Sequence, residues 1–394
     1  MTQPSPGDLH SELSPHLELG RSGFAATGLV SQTLVPTTTV GRTMRRLALI
    51  LVVIAVVAGA AGSGAAQSTA SPCATIDLPT WSPDGQQIAY VGTRAGRRTH
   101  PILRAICVAN ADGTNAEPLP NTTCTRQSCR LDLIDYHTQL FWVKPTLLLY
   151  GDNFRIFKIP VGGKPQYLGR QPGSFEEFSV DRAGDRVAAG STDCAQCAGP
   201  VTTLGVPSGQ RAGRLGGTKV DNVMPSISPD GTRVAFERHY TDSRRNPALG
   251  IWTAWADGSH LRRLERLGAA PLWSPGGDRI AYRAQPPGYS ALLLVAPGGG
   301  KSTTLVPRGV RAVFGWSPDG GKLAYEDSKN RLRVIDVQTG TVRNLLQLHF
   351  APSAAWSPDS QQLLVNMWPK RHGCFYAMWR VPVDGSRPQL LRHC

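Results

Sequence analysis

The chain of 394 residues carries 42 Lys and Arg against 28 Asp and Glu, a formal net charge of +14. A surplus of this size points to an anionic partner, and the export leader described next removes nucleic acid from the expected partners. No Gly-x-Ser-x-Gly elbow and no α/β-hydrolase stretch occur, which excludes serine catalysis of the α/β-hydrolase kind by this chain alone.

Residues 1–43 are rich in Ser, Thr, Pro and Gly without periodicity, and read as a disordered tail or a mis-assigned start. The apolar run Leu47–Ala58 follows Arg42, Arg45 and Arg46, and small residues continue to Ala66. A basic flank, a short apolar run and a small-residue exit describe a secretory signal cut near Ala65 or Ala66, in a leader spanning 44–66 that starts at Met44. The alternative is a single transmembrane anchor helix, which gives membrane contact through 47–66. Either form places the remainder outside the cytoplasmic membrane, periplasmic or extracellular, secreted or anchored. Residues 67–78 read as a linker, and 79–394 as one domain.

That domain repeats a phrase. It reads Trp81-Ser82-Pro83-Asp84-Gly85 with Ile88-Ala89-Tyr90, and Trp316-Ser317-Pro318-Asp319-Gly320 with Leu323-Ala324-Tyr325. Looser copies begin at Ser228, Trp273 and Trp356. Proline presets the first turn dihedral, Ser and Asp suit the flanking positions, and Gly accepts the positive φ that follows. The residues after the turn alternate as a half-buried strand requires. Each phrase is therefore a hairpin, with its Trp placed to fill the gap between packed sheets. A second phrase, an apolar strand ending in a Gly turn, completes each unit. Its glycines fall at 113, 163, 209, 258, 299, 340 and 385. Seven nearly even beats predict an all-β fold, a monomeric propeller of seven four-stranded antiparallel blades. No such unit buries both faces alone, so the ring must close.

The Trp-Ser-Pro-Asp-Gly hairpin with a downstream Asp-Gly turn resembles the WD-like repeats of TolB-type propellers, and similar repeats occur in prolyl-oligopeptidase-type enzymes. The resemblance covers about 79–391 and implies architecture. TolB proteins carry an α/β domain before a propeller usually counted as six-bladed, and this chain departs from both, so a role in envelope integrity does not transfer.

All eight cysteines (Cys73, Cys107, Cys124, Cys129, Cys194, Cys197, Cys374 and Cys394) follow the leader. An even count in an exported chain reads as disulfides. A Cys73–Cys394 bridge would staple the ring closed, with Cys374–Cys394 its competitor. Cys194-x-x-Cys197 as a redox pair lacks the helix that depresses a thiolate pKa, and a zinc site with Cys124 and Cys129 is the weaker reading.

Strand order predicts which face binds. The first-to-second and third-to-fourth turns open on one face and are short. The second-to-third loops and the blade connections open on the other face, and are long and irregular. The long segments carry Arg94, Arg97, Arg98, Arg126, Arg130, Arg238, Arg244, Arg245, Lys370 and Arg371. Four Arg and three acids lie in residues 1–66, which leaves +13 for the rest. The reading is an exported binding scaffold for a protein or an anionic envelope component, with no catalytic residue, cofactor or metal assigned. The alternative is a hydrolase or lyase with its active site in the central channel.

Overall fold

The computed structural model describes residues 71–94, 103–125, 139–151, 155–170, 174–192, 199–217, 220–239, 249–284, 290–348, 353–367 and 377–392. The chain divides into units 1–66 and 67–394, and the described residues all belong to the second. The predicted leader and anchor helix lie outside them. Among the described residues the one helical element is a 3-10 turn, Pro72–Ala74, and no helix is long and apolar enough to cross a membrane.

Seven sheets follow one another along the chain, each with four consecutive antiparallel strands in order. Blade 1 runs from Thr75–Trp81 to Glu117–Pro118, with Cys124–Thr125 added against its third strand. Blade 2 starts at Gln139–Lys144, blade 3 at Ser174–Val180, blade 4 at Asp221–Ile227, blade 5 at Gly268–Trp273, blade 6 at Val310–Trp316 and blade 7 at Ser353–Trp356. First strands of neighbouring blades touch from blade 6 through blades 7 and 1 round to blade 5, so they are the innermost. Among the described residues no blade mixes strands from both ends of the chain. Closure therefore rests on side-chain packing.

The turn phrase does what its residues predict. The N–H of Gly85, Gly231, Gly277 and Gly320 donates to the Ser carbonyl three residues earlier at 2.8–2.9 Å, and each glycine has φ between 70° and 74°. The Ser82 hydroxyl donates to Asp84 at 2.6 Å and accepts from the Gln87 N–H at 2.9 Å. That hydroxyl bond, with the Gln86 N–H, lowers the Asp84 pKa. The recurring aspartates are thus consumed by the turns.

The Trp and the residue before it form the seam between blades in two ways. In three junctions the indole N–H donates to the carbonyl preceding the neighbour's Trp: Trp316 to Leu272 at 3.1 Å, Trp356 to Gly315 at 3.1 Å, and Trp81 to Ala355 at 3.3 Å across the closure. In three others the residue before that position, held by Trp81, Val180 or Ile227, is Ser or Thr, and its hydroxyl accepts from the next blade's backbone: Thr80 from Trp142 at 3.4 Å, Ser179 from Ile227 at 2.9 Å, and Ser226 from Trp273 at 2.9 Å. A buried N–H needs an acceptor; the first device supplies one to the indole and the second to the backbone, while the indole N–H groups of Trp142 and Trp273 have no partner among the described residues.

Three of the first strands share one bulge. Register shifts fall between Asp77 and Thr80, Val223 and Ser226, and Ala269 and Leu272. Leu78, Met224 and Ala270 sit there at φ 49–51°, each before a proline. This break in period 2 explains why blade 1 starts at Thr75 rather than at the predicted 79.

The predicted Cys73–Cys394 closure does not form. Cys73 bonds to Cys107, 34 residues away, with Cα atoms 5.8 Å apart. The 3-10 turn lays Cys73 over the second and third strands of blade 1, where the Tyr90 hydroxyl donates to its carbonyl at 3.3 Å. Cys107 faces the same side as Tyr90, its register partner. The bridge sits in the cluster that joins blade 1 to Leu364 and Met378 of blade 7. It guards the seam without linking the chain ends. Cys124 is also disulfide-bonded, and Cys129, Cys194, Cys197, Cys374 and Cys394 lie outside the described residues. Disulfides fit an oxidising, exported setting.

Candidate anion-binding pocket on the loop face

Of the predicted basic loop residues, Arg97, Arg98, Arg126, Arg130, Arg244, Arg245, Lys370 and Arg371 lie outside the described residues. Arg94 ends the second strand of blade 1, half-buried. Arg238 is placed differently from an open loop: it is 6% exposed near the end of the second strand of blade 4. Its guanidinium lies 4.0 Å from the Trp252 ring centroid, and donates from Nε to Asn222 Oδ1 at 3.1 Å and from Nη2 to the Gly216 carbonyl at 2.8 Å. Burial lowers its pKa. Arg238 is a strut between blades, so Arg238→Ala is expected to cost about 2–4 kcal/mol of stability, from stranded acceptors and a lost cation–π contact. Chemical denaturation checks this, and anion binding should be unchanged in the folded variant.

A basic site that sequence reasoning missed is built in blade 6. Here the chain passes from the second strand, Lys322–Asp327, to the third, Arg331–Asp336, through only Ser328–Asn330. Asn330 takes φ 56° and its N–H closes the turn on the Asp327 carbonyl at 2.9 Å. Asp327 Oδ1 accepts from the backbone N–H groups of Lys329 at 2.9 Å and Arg331 at 3.0 Å. Oδ2 accepts from Arg331 Nε at 2.8 Å, with Arg331 Nη2 at 2.7 Å and Arg333 Nε at 2.8 Å. Burial pushes the Asp327 carboxyl up, but the Arg331 side chain, these N–H groups and the Arg333 charge together hold it below the usual range. Its stabilising contribution is therefore present above the unfolded carboxylate pKa and is lost only as pH falls through the depressed value.

Lys329, Arg331 and Arg333 alternate, and Arg308 joins them from the connection between blades 5 and 6. They surround a cavity of about 310 Å³ that Tyr325 and Gly309 also line. It opens on the face of the second-to-third turns. One carboxylate stands among four cations. Arg333 Nε, though close to Asp327, is not aligned with it as a hydrogen bond.

Tyr325 is 1% exposed. Its counterparts in the repeat have partners: the Tyr90 hydroxyl donates to the Cys73 carbonyl, and that of Tyr282 to Ser302 Oγ at 2.8 Å, which in turn donates to Glu265. Burial pushes the Tyr282 hydroxyl up to about 12. The Tyr325 hydroxyl, also raised by burial, has no well-aligned hydrogen-bond partner and lies beside the Arg333 guanidinium. A buried hydroxyl left in this state costs stability unless something meets it. On the other side of the same strand, Glu326 is raised by burial and faces Arg311 at 3.6 Å.

Among the described residues, no group of three or more His, Cys, Asp or Glu is placed to hold a metal ion. The signal that would have found the pocket was a basic residue at every second position, 329, 331 and 333, running from a short turn into a strand on which Arg331 and Arg333 project to one side.

No protein-family profile matches the chain. A stretch of 126 residues is 30% identical to a protein described as a TolB homolog from Chlorobium luteolum, covering 31% of this chain and 28% of that relative's length. Among solved structures, an oligogalacturonate lyase from Vibrio parahaemolyticus aligns with a TM-score of 0.60 at 11% identity, over 79% of this chain and 90% of that one. TolB from Acinetobacter baumannii aligns at 0.48 and 14% identity, over 78% and 80%. At these identities the structural likeness speaks for the fold alone.

Proposed function

We propose that this TolB-type propeller is an exported binding scaffold whose loop face engages an anionic group of an acidic protein or an envelope polymer. The blade 6 pocket carries the reading: four cations around one carboxylate, with a buried hydroxyl that has no well-aligned hydrogen-bond partner among the described residues. The rigid ring holds these groups in place before any partner arrives, which lowers the ordering cost of binding. The surplus charge draws anions to the face and makes association fall as salt rises.

Co-sedimentation of the purified chain with isolated cell envelopes, at low and high salt, tests this. Association should weaken with salt, and should weaken further in Arg308→Ser with Lys329→Ser and in the loop variant Arg97→Ser, Arg98→Ser, Arg244→Ser, Arg245→Ser. Association indifferent to salt and to both variants would refute the reading.

A further inference from the structure

We infer that the blade 6 pocket is a phosphoryl site, one that takes a doubly charged phosphate group in preference to a carboxylate. This rests on the anion-binding reading and narrows it. The first ground is charge: four cations and one carboxylate leave a formal +3, and Coulomb attraction grows with the charge of the guest. A phosphate monoester carries close to two charges near pH 7, a carboxylate one.

The second ground is geometry. A flat carboxylate is best held by the side-on fork of an arginine. Arg331 has spent that edge, since both Nε and Nη2 face Asp327 Oδ2. Asp327 Oδ1 is filled by two backbone N–H groups. The donors that remain come from separate elements: the Arg308 guanidinium, whose fork takes two oxygens of one anion, the Lys329 ammonium, the Ser328 hydroxyl and the buried Tyr325 hydroxyl. One fork and three further donors exceed what the two oxygens of a carboxylate can accept, and suit a tetrahedral group with three acceptor oxygens. The cavity, about 310 Å³, is at the small end of ligand sites, so one phosphorylated unit fills it.

Calorimetry with the full exported domain decides the matter, using inorganic phosphate, glycerol 3-phosphate, sulfate and acetate as probes. Phosphate and glycerol 3-phosphate should bind saturably, at least tenfold tighter than acetate. Arg308→Gln and Lys329→Gln, both on exposed positions and harmless to folding, should each weaken phosphate at least fivefold. Tyr325→Phe should weaken it while leaving the thermal midpoint close to wild type. Between pH 7.5 and about 5.5 phosphate should lose affinity as it gains a proton. Sulfate keeps both charges, so its affinity should hold across that range. Constant sulfate affinity also shows that neither Asp327, Tyr325 nor the nearby Glu326 is responsible.

Vesicles of phosphatidylcholine with and without phosphatidic acid separate the sources. Capture only by the phosphatidic acid vesicles assigns a lipid headgroup, and binding of the soluble phosphates alone assigns a free or polymer-borne group. Acetate binding as tightly as phosphate would overturn the phosphoryl assignment and leave the anion site standing. No binding of any probe, or binding unchanged in Arg308→Gln and Lys329→Gln, would overturn both.

Discussion

Removing the Cys73–Cys107 bridge, as Cys73→Ala with Cys107→Ala, is expected to lower stability by about 4 kcal/mol, the chain-entropy value for a loop of this size. The loop spans 34 residues and includes the first hairpin of blade 1. Both cysteines are essentially fully buried, in the cluster shared with Leu364 and Met378 of blade 7. Among the described residues no strand is exchanged at the closure, so this cluster, the Trp81 bond to Ala355 and the donation from the Asn366 amide to Asp77 at 3.1 Å hold the ends together. The variant should therefore open first between blades 7 and 1. Hydrogen exchange should show the second strands of those blades, Gln87–Arg94 and Gln362–Met367, losing protection before blade 4 does. An unchanged denaturation midpoint, or opening that begins in blade 4, would contradict this account of closure.

The seams carry the second large effect. Trp316→Ala should cost about 3–5 kcal/mol, because it empties a buried aromatic site and strands the Leu272 carbonyl. Ser226→Ala changes far less volume, yet should cost about 1–3 kcal/mol, since the Trp273 N–H it served is buried. Trp255→Ala is the control. Trp255 is 47% exposed on the third strand of blade 4, and its loss should stay within about 1 kcal/mol. Urea denaturation of the three variants reads all of this. Equal effects of Trp316→Ala and Trp255→Ala would show that the tryptophans do not organise the seams.

The architecture was legible because its signals are local. Proline, Asp and Gly at fixed offsets make a turn whatever surrounds them, and seven turn glycines count seven blades. Other features depend on what lies across space. Cys73 and Cys394 are sequence ends that a closed ring brings near, but the 3-10 turn points Cys73 back onto Cys107. Arg238 precedes a long irregular segment and reads as loop, yet it is still strand and its side chain lies on Trp252. The pocket escaped notice because long loops were weighed above short ones. Its basic residues surround the three-residue turn of blade 6, where Asp327 gathers them. The bulges at Leu78, Met224 and Ala270 hid too, since each breaks the alternation that marks a strand.

The most direct measurement of the central claim is a map of backbone amide shifts in the isotope-labelled domain during titration with inorganic phosphate. Saturable shifts are expected, centred on Gly309, Ser328, Lys329 and Arg331, and abolished in the Arg308→Gln, Lys329→Gln variant. Shifts centred instead on the opposite face, at Gly85, Gly277 and Gly320, or none that saturate, would contradict it.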